Sequence, residues 1–174
     1  MQLSERLSLL TGLSHCFYGS DGASAPEIAL KMSFHAWRNG GQPRKTQFVS
    51  LQGSYHGETL GALSVTDVPL FRDTYAPLLR HSAQVPTPDL RLARSGETQE
   101  EVALRAARAL EAYFAEHHEQ TAALIVEPLV QGASGMVMYH PRYLSEARAL
   151  CDRYRVHLIA DEIAVGFGRT GTFL

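Results

Sequence analysis

Ala122-Ala123-Leu124-Ile125-Val126 and Val156-His157-Leu158-Ile159-Ala160 are the runs on which the fold turns. Both are short and lack any alternation of apolar with charged residues, so each predicts a strand buried on its two faces. Between them, Pro141 to Tyr154 has the periodicity of a helix. Buried strands alternating with helices predict a parallel sheet covered on both sides. Outward from this unit the pattern repeats. Gln47-Phe48-Val49-Ser50-Leu51 is a third strand, His81 to Val85 a weaker one, and His15-Cys16-Phe17-Tyr18 a short strand near the start. A helix is expected from Ser24 to Asn39, ended by Gly40-Gly41, and a helical stretch reaches about Val65 after a turn at Gly53 to Gly57. Thr98 to His118 is the clearest helix. Thr98 with Glu101 has the capping-box pattern, and Val102, Leu110, Tyr113, Phe114 and His117 share one stripe. The fold class expected is α/β, a mainly parallel sheet with helices on both faces. No internal repeat or low-complexity tract interrupts it.

Such sheets carry their chemistry at the carboxyl ends of the strands. Three of those ends are polar here: Glu127, Asp161-Glu162, and the Tyr55-His56 turn. A carboxylate at the end of a buried strand needs a partner or its pKa rises. For Asp161 that partner is either a cationic ring nitrogen or a structural arginine. Gly22-Ala23-Ser24-Ala25-Pro26-Glu27 follows a strand and opens a helix, with Ser24 and Glu27 as a capping-box pair and Pro26 in the first turn. Its free amides suit a phosphate, although a well-capped helix with no ligand fits them equally. Tyr55 in a glycine-bounded turn reads as packing or as a platform for a ligand. His56-Gly57-Glu58 lacks the second histidine that a metal site at helical spacing would need. Gly166-Phe167-Gly168-Arg169-Thr170-Gly171 matches a dinucleotide fingerprint in letters only, since no helix and no acidic residue follow at the required positions.

Composition narrows the class. The 174 residues amount to about one domain, 45% hydrophobic and 20% charged, as in an ordinary globular protein. The net charge of −2 leaves no basic surplus for a nucleic acid. Leu7 to Leu13 is too short and polar to span a bilayer, and Glu5 spoils it as a signal peptide. Cys16 and Cys151 read as reduced thiols, and a cytoplasmic location is expected. Only two of the sixteen basic residues are lysines, Lys31 and Lys45. Leu174 follows soon after the last strand and the Met1 end starts on a marginal helix, so the chain reads as a piece from the middle of a larger domain.

Taken together, residues 19–31, 53–65, 126–136 and 159–171 resemble the class III, fold-type I aminotransferases that depend on pyridoxal 5'-phosphate. The likeness runs in order through nearly all of the chain. Asp161-Glu162-Ile163 and Tyr55-His56-Gly57 are its broadest elements. Met136-Val137-Met138-Tyr139-His140-Pro141 and Thr66-Asp67 point more narrowly to the branch serving biotin synthesis. That resemblance implies amino transfer from S-adenosylmethionine to 8-amino-7-oxononanoate, giving 7,8-diaminononanoate, by a homodimer. Another class III enzyme acting on ω-amino acids or diamines, or a non-catalytic cofactor-binding module, are the alternatives.

Carried over by residue, the resemblance puts the cofactor phosphate on the Gly22 and Ala23 amides. The family usually has Ser or Thr where Ala23 stands, so either Ser24 substitutes or the amides suffice. Tyr55 would lie against the cofactor ring and border the substrate, Ile163 would lie on the opposite ring face, and Asp161 would keep the pyridine nitrogen protonated. Glu127 and Arg169 match positions near the substrate side. The family's Schiff-base lysine has no counterpart. Lys31 falls inside a helix and Lys45 in the connection Gln42-Pro43-Arg44-Lys45. Residues 1–174 are thus expected to be part of the cofactor-binding large domain, without the family's amino-terminal segment, lysine region and small domain.

Overall fold

A computed structural model describes residues 2–173. In chain order they form α1 (Gln2–Thr11), α2 (Ser24–Asn39), β1 (Gln47–Leu51), α3 (Leu60–Ser64), α4 (Pro69–Arg72), β2 (Ala83–Val85), α5 (Gln99–His117), β3 (Thr121–Val126), β4 (Val130–Gln131), β5 (Val137–Met138), α6 (Arg142–Tyr154) and β6 (His157–Ala160). Four strands make one sheet in the order β2-β1-β3-β6, and every pairing is parallel. The strands β4 and β5 form a small antiparallel pair that the sequence reading does not anticipate.

Alternation along β3 splits the core between two faces. Leu124 and Val126 join Val49, Leu51 and Val85 beneath α5 and α6, whereas Ile125 points the other way, towards Leu30 of α2 and Val65. β3 is wholly buried because strands flank it on both edges and helices cover both faces. α5 buries Val102, Ala106, Leu110 and Phe114, one residue per helical turn along a single face. Its capping box is formed, with Thr98 Oγ1 accepting from the Glu101 amide and the Glu101 carboxylate accepting from Thr98 N. His117, expected in the buried stripe, is exposed in the last turn instead.

Three further expectations are corrected. His15-Cys16-Phe17-Tyr18 is not a strand. It is irregular chain with no sheet partner among the described residues, its Tyr18 hydroxyl meeting Ser4 Oγ on α1 and its Phe17 ring exposed. β6 is not buried on both faces. It forms an edge of the sheet, paired only with β3 among the described residues, and its burial is partial. The Ser24–Glu27 capping box does not form. Asp21 takes that place, accepting from the Ser24 amide at 2.8 Å and from the Ser24 hydroxyl at 2.8 Å. Glu27 turns away to accept from Thr59 Oγ1 and the Ala62 amide, tying α2 to α3.

Candidate active site

Because all four strands run the same way, the ends of β3 and β6 and the turn after β1 lie along one edge of the sheet. Asp161 follows β6 directly, and its amide still donates to Val126 O, which extends the β3–β6 ladder by one rung. Its carboxylate is almost fully buried and meets His56 Nδ1 at 2.8 Å. A carboxylate can only accept, so the proton in this contact belongs to Nδ1, which fixes the tautomer of a neutral ring. The other ring nitrogen, Nε2, is buried with no partner among the described residues. The arginine that the sequence offers as a structural partner is not what Asp161 meets. The partner is a histidine 105 residues earlier. The signal that could have found it is the convergence of polar strand ends: Tyr55-His56 and Asp161 follow β1 and β6, the two strands that flank β3 in one parallel sheet.

Asp161 and Ile163 share with Gly22, Pro26 and Ile159 a cavity of about 350 Å³. That is within the range of small-molecule sites, about 300–1,000 Å³. Gly22 lies close against Ile163 on its wall, where a Cβ on Gly22 would stand 3.5 Å from Ile163 Cγ1. The turn carrying His56 closes on the same loop. Gly57, at φ +116°, sits so near Ala23 that a Cβ would lie 2.6 Å from the Ala23 methyl. Gly22, Ala23, Asp161 and Ile163 are therefore brought together, with His56 added.

Tyr55 stands apart from the cavity. Its ring packs on Phe71 with centroids 5.0 Å apart, and its hydroxyl donates to Glu58. Burial, and next the Glu58 carboxylate, raise the pKa of that hydroxyl. Arg169 is exposed and lines a different opening of about 720 Å³, beside Leu129, Met136 and Met138. Glu127 is buried with both carboxylate oxygens engaged, Oε1 by the Tyr55 amide at 3.0 Å and Oε2 by the Gly132 amide at 2.9 Å. Burial raises its pKa against the pull of those two amides. Lys31 is exposed on α2, and Lys45 is buried beneath the opposite edge of the sheet. There Lys45 Nζ donates to the His118 and Thr121 carbonyls at 2.6 and 3.1 Å, and burial lowers its pKa to about 8.

The sequence profile of the class III aminotransferases matches residues 1–174. This chain belongs to the class III aminotransferase family. Among curated relatives, the adenosylmethionine-8-amino-7-oxononanoate aminotransferase of Helicobacter pylori is 47% identical over 98% of this chain and 37% of its own length. The protein of the same name from Anoxybacillus flavithermus is 46% identical over 91% of the chain and 35% of its length. The chain thus spans little more than a third of these relatives. Among solved structures, an amine transaminase from an uncultivated Pseudomonas species, in a pyridoxal-phosphate-bound form, superposes with a TM-score of 0.90 at 34% identity, over 99% of this chain and 40% of that one. The adenosylmethionine-8-amino-7-oxononanoate aminotransferase of Methanocaldococcus jannaschii gives 0.87 at 30% identity, over 99% and 37%.

A class III site must offer a carboxylate to a ring nitrogen and amides to a phosphate. Asp161 satisfies the first need, since it is buried, at a strand end, and open to the cavity. At the other, the Gly22 amide meets no acceptor among the described residues, and no side chain on Gly22 blocks approach. The Asp21 carboxylate already occupies the Ser24 amide, however, and Ser24 Oγ is spent on the same carboxylate. The Ser24 hydroxyl is thus already engaged, and a phosphate at this turn would have the Gly22 amide free to meet it.

Proposed function

We propose that the protein carrying this chain is a pyridoxal-5'-phosphate-dependent aminotransferase of biotin synthesis, moving an amino group from S-adenosylmethionine to 8-amino-7-oxononanoate to give 7,8-diaminononanoate. The observation that carries the reading is the cavity shared by the Asp161 carboxylate and the Gly22 turn, in a chain 47% identical to a relative named for that reaction. Pyridoxal phosphate would supply an electron-withdrawing ring through which an amino group is taken from one substrate and given to the next. Asp161 would hold a proton on the ring nitrogen, and a charge-assisted bond of that kind contributes roughly 1.5–3 kcal/mol. His56 would fix the carboxylate's rotamer through Oδ2, and Oδ1, which accepts only a longer bond from the Ile163 amide at 3.3 Å, would meet the ring nitrogen. The Gly22 and Ala23 amides would take the phosphate, and Ile163 would cover one ring face, its side chain already exposed beside Gly22. Tyr55 could reach the other ring face and the substrate only by leaving Phe71, a rotation of its side chain. Arg169 would sit on the substrate side.

In this reading the protein works in the cytoplasm as a homodimer. Leu3, Leu9 and Leu10 lie exposed on α1, which buries none of its own residues, and an apolar surface of that kind suits an interface. No helix of the described residues is long and apolar enough to cross a membrane.

A second substrate class has one observation in its favour: an amine transaminase superposes as well as the M. jannaschii enzyme does. Both are separated by one assay. The protein that carries this chain is supplied with pyridoxal phosphate, S-adenosylmethionine and 8-amino-7-oxononanoate, and product is read by mass. Formation of 7,8-diaminononanoate is expected. Turnover of ω-amino acids or diamines with no reaction of 8-amino-7-oxononanoate would overturn the assignment.

A further inference from the structure

The turn that carries His56 is fastened to its surroundings more heavily than a surface turn requires. Asp67 accepts from the Gly53 amide, Thr66 Oγ1 from the His56 amide, and Glu127 from the Tyr55 amide. From the β4–β5 hairpin, Gln131 donates to Gln52 O and Ser134 donates to Gly53 O. That hairpin in turn runs through two residues in the left-handed region, Leu129 at φ +63° and Met136 at φ +55°. Such conformations persist only where surrounding contacts over-determine them.

Glu127 grips both parts from outside them. It is fixed at the end of β3, the most buried strand, and each oxygen takes one amide: Tyr55 from the turn, Gly132 from the hairpin. A carboxylate is otherwise expensive to bury, and a lone structural clasp would be served at lower cost by a neutral side chain. Only a carboxylate, though, presents two acceptors and no donor to two converging N–H groups. A glutamine here would turn a donor towards one of them.

We propose that Glu127 is the positioning residue for the His56–Asp161 contact: by clamping the Tyr55 and Gly132 amides it sets where the His56 ring meets the Asp161 carboxylate. Its bearing on catalysis rests on the cofactor reading above, whereas its bearing on His56 does not. Glu127 makes no hydrogen bond to Asp161 among the described residues and does not line the cavity, although its carboxylate lies near enough to His56 and Asp161 for both to bear on its pKa. It acts through the backbone one residue ahead of His56.

The test uses the protein that carries this chain, with ¹⁵N-labelled histidine, as wild type, Glu127→Gln and Glu127→Asp. The Nδ1–H proton of His56 is read without cofactor, and melting temperature, kcat and KM are read on the same preparations. In wild type a downfield, exchange-protected Nδ1–H signal is expected. In Glu127→Gln that signal should be lost or displaced, and kcat should fall roughly tenfold to a hundredfold, the scale of a small misplacement of an oriented group. KM should move less. Glu127→Asp keeps the charge but is one methylene short, so it should disturb the signal as well. A folded variant of either kind with the wild-type His56 signal would overturn the proposal, even with a lowered melting temperature. Should wild type bind no pyridoxal phosphate, the function proposed above fails, and the His56 signal still decides the role of Glu127.

Discussion

At the residue scale, the least expected side chain is Asp21. The helix N-terminus that should receive a phosphate is already capped by a carboxylate, whose hydrogen bonds from the Ser24 amide and hydroxyl lower its pKa. An anion at a helix N-terminus is favourable in itself, but beside a phosphate it is a like charge. Asp21→Asn keeps an oxygen to accept from Ser24 N and removes the charge. Tighter binding of pyridoxal phosphate is expected from that variant, with little change in melting temperature. Equal or weaker binding, measured by equilibrium dialysis in the protein that carries this chain, would show that the phosphate does not lie at this turn.

One scale up, α2 is joined to the sheet through a stack of ionisable and aromatic groups. Trp37 of α2 lies on His157 of β6 at 4.3 Å between centroids and donates to Ala122 O on β3, while Ser33 of α2 meets His157 Nδ1. Lys45 stands over the same Trp37 ring. Burial, then the Lys45 and Arg148 cations, lower the pKa of His157. The folded protein thus resists protonating a ring that the unfolded chain protonates at about pH 6.5. Between those values the unfolded state binds more protons, so stability is full above about pH 6.5 and falls as pH drops below it. Trp37 is the only tryptophan, so its fluorescence reports on this joint directly. Denaturant midpoints followed through Trp37 should decline from pH 7 to pH 5, and His157→Gln should flatten the decline. An unchanged slope in that variant would place the acid sensitivity elsewhere.

The same scale shows what could be read from sequence and what could not. Thr121–Val126 was legible because a strand buried on both faces leaves a long apolar run, and Thr98 with Glu101 because its capping contacts are local. Ser24 with Glu27 has the same local pattern, yet Glu27 finds partners on α3, more than thirty residues away, which no local pattern carries. His15 to Tyr18 has the composition of a strand but pairs with no strand among the described residues. Of the site, Gly22, Asp161 and Ile163 could be placed from strand ends and family likeness. The His56–Asp161 contact and the double grip of Glu127 arise only when elements far apart in the chain converge.

For the whole molecule, the positions of the two lysines carry a definite consequence. Lys45 is pinned by two carbonyls under the edge of the sheet opposite Asp161, and Lys31 lies exposed on α2. Neither lysine lines the cavity that holds Asp161. When this 174-residue chain is mixed with pyridoxal phosphate and reduced with borohydride, mass spectrometry should find no stoichiometric label at either lysine, and the chain should show no transaminase turnover. Full labelling at Lys31 or Lys45 with turnover would contradict the site as described.

The central claim is that Asp161 serves the cofactor's ring and is not merely one half of a buried pair with His56. Asp161→Asn, made in the protein that carries this chain, separates the two. Asparagine keeps the shape and an oxygen that can still accept from His56 Nδ1, but it lacks the charge that would hold a proton on the ring nitrogen. The melting temperature and the single-turnover rate with S-adenosylmethionine are measured on one preparation. A rate lower by about 10²–10³-fold, the scale of one preorganised electrostatic contact, is expected, with the melting temperature and pyridoxal phosphate affinity changed much less. A destabilised variant that still turns over at the wild-type rate would contradict the claim.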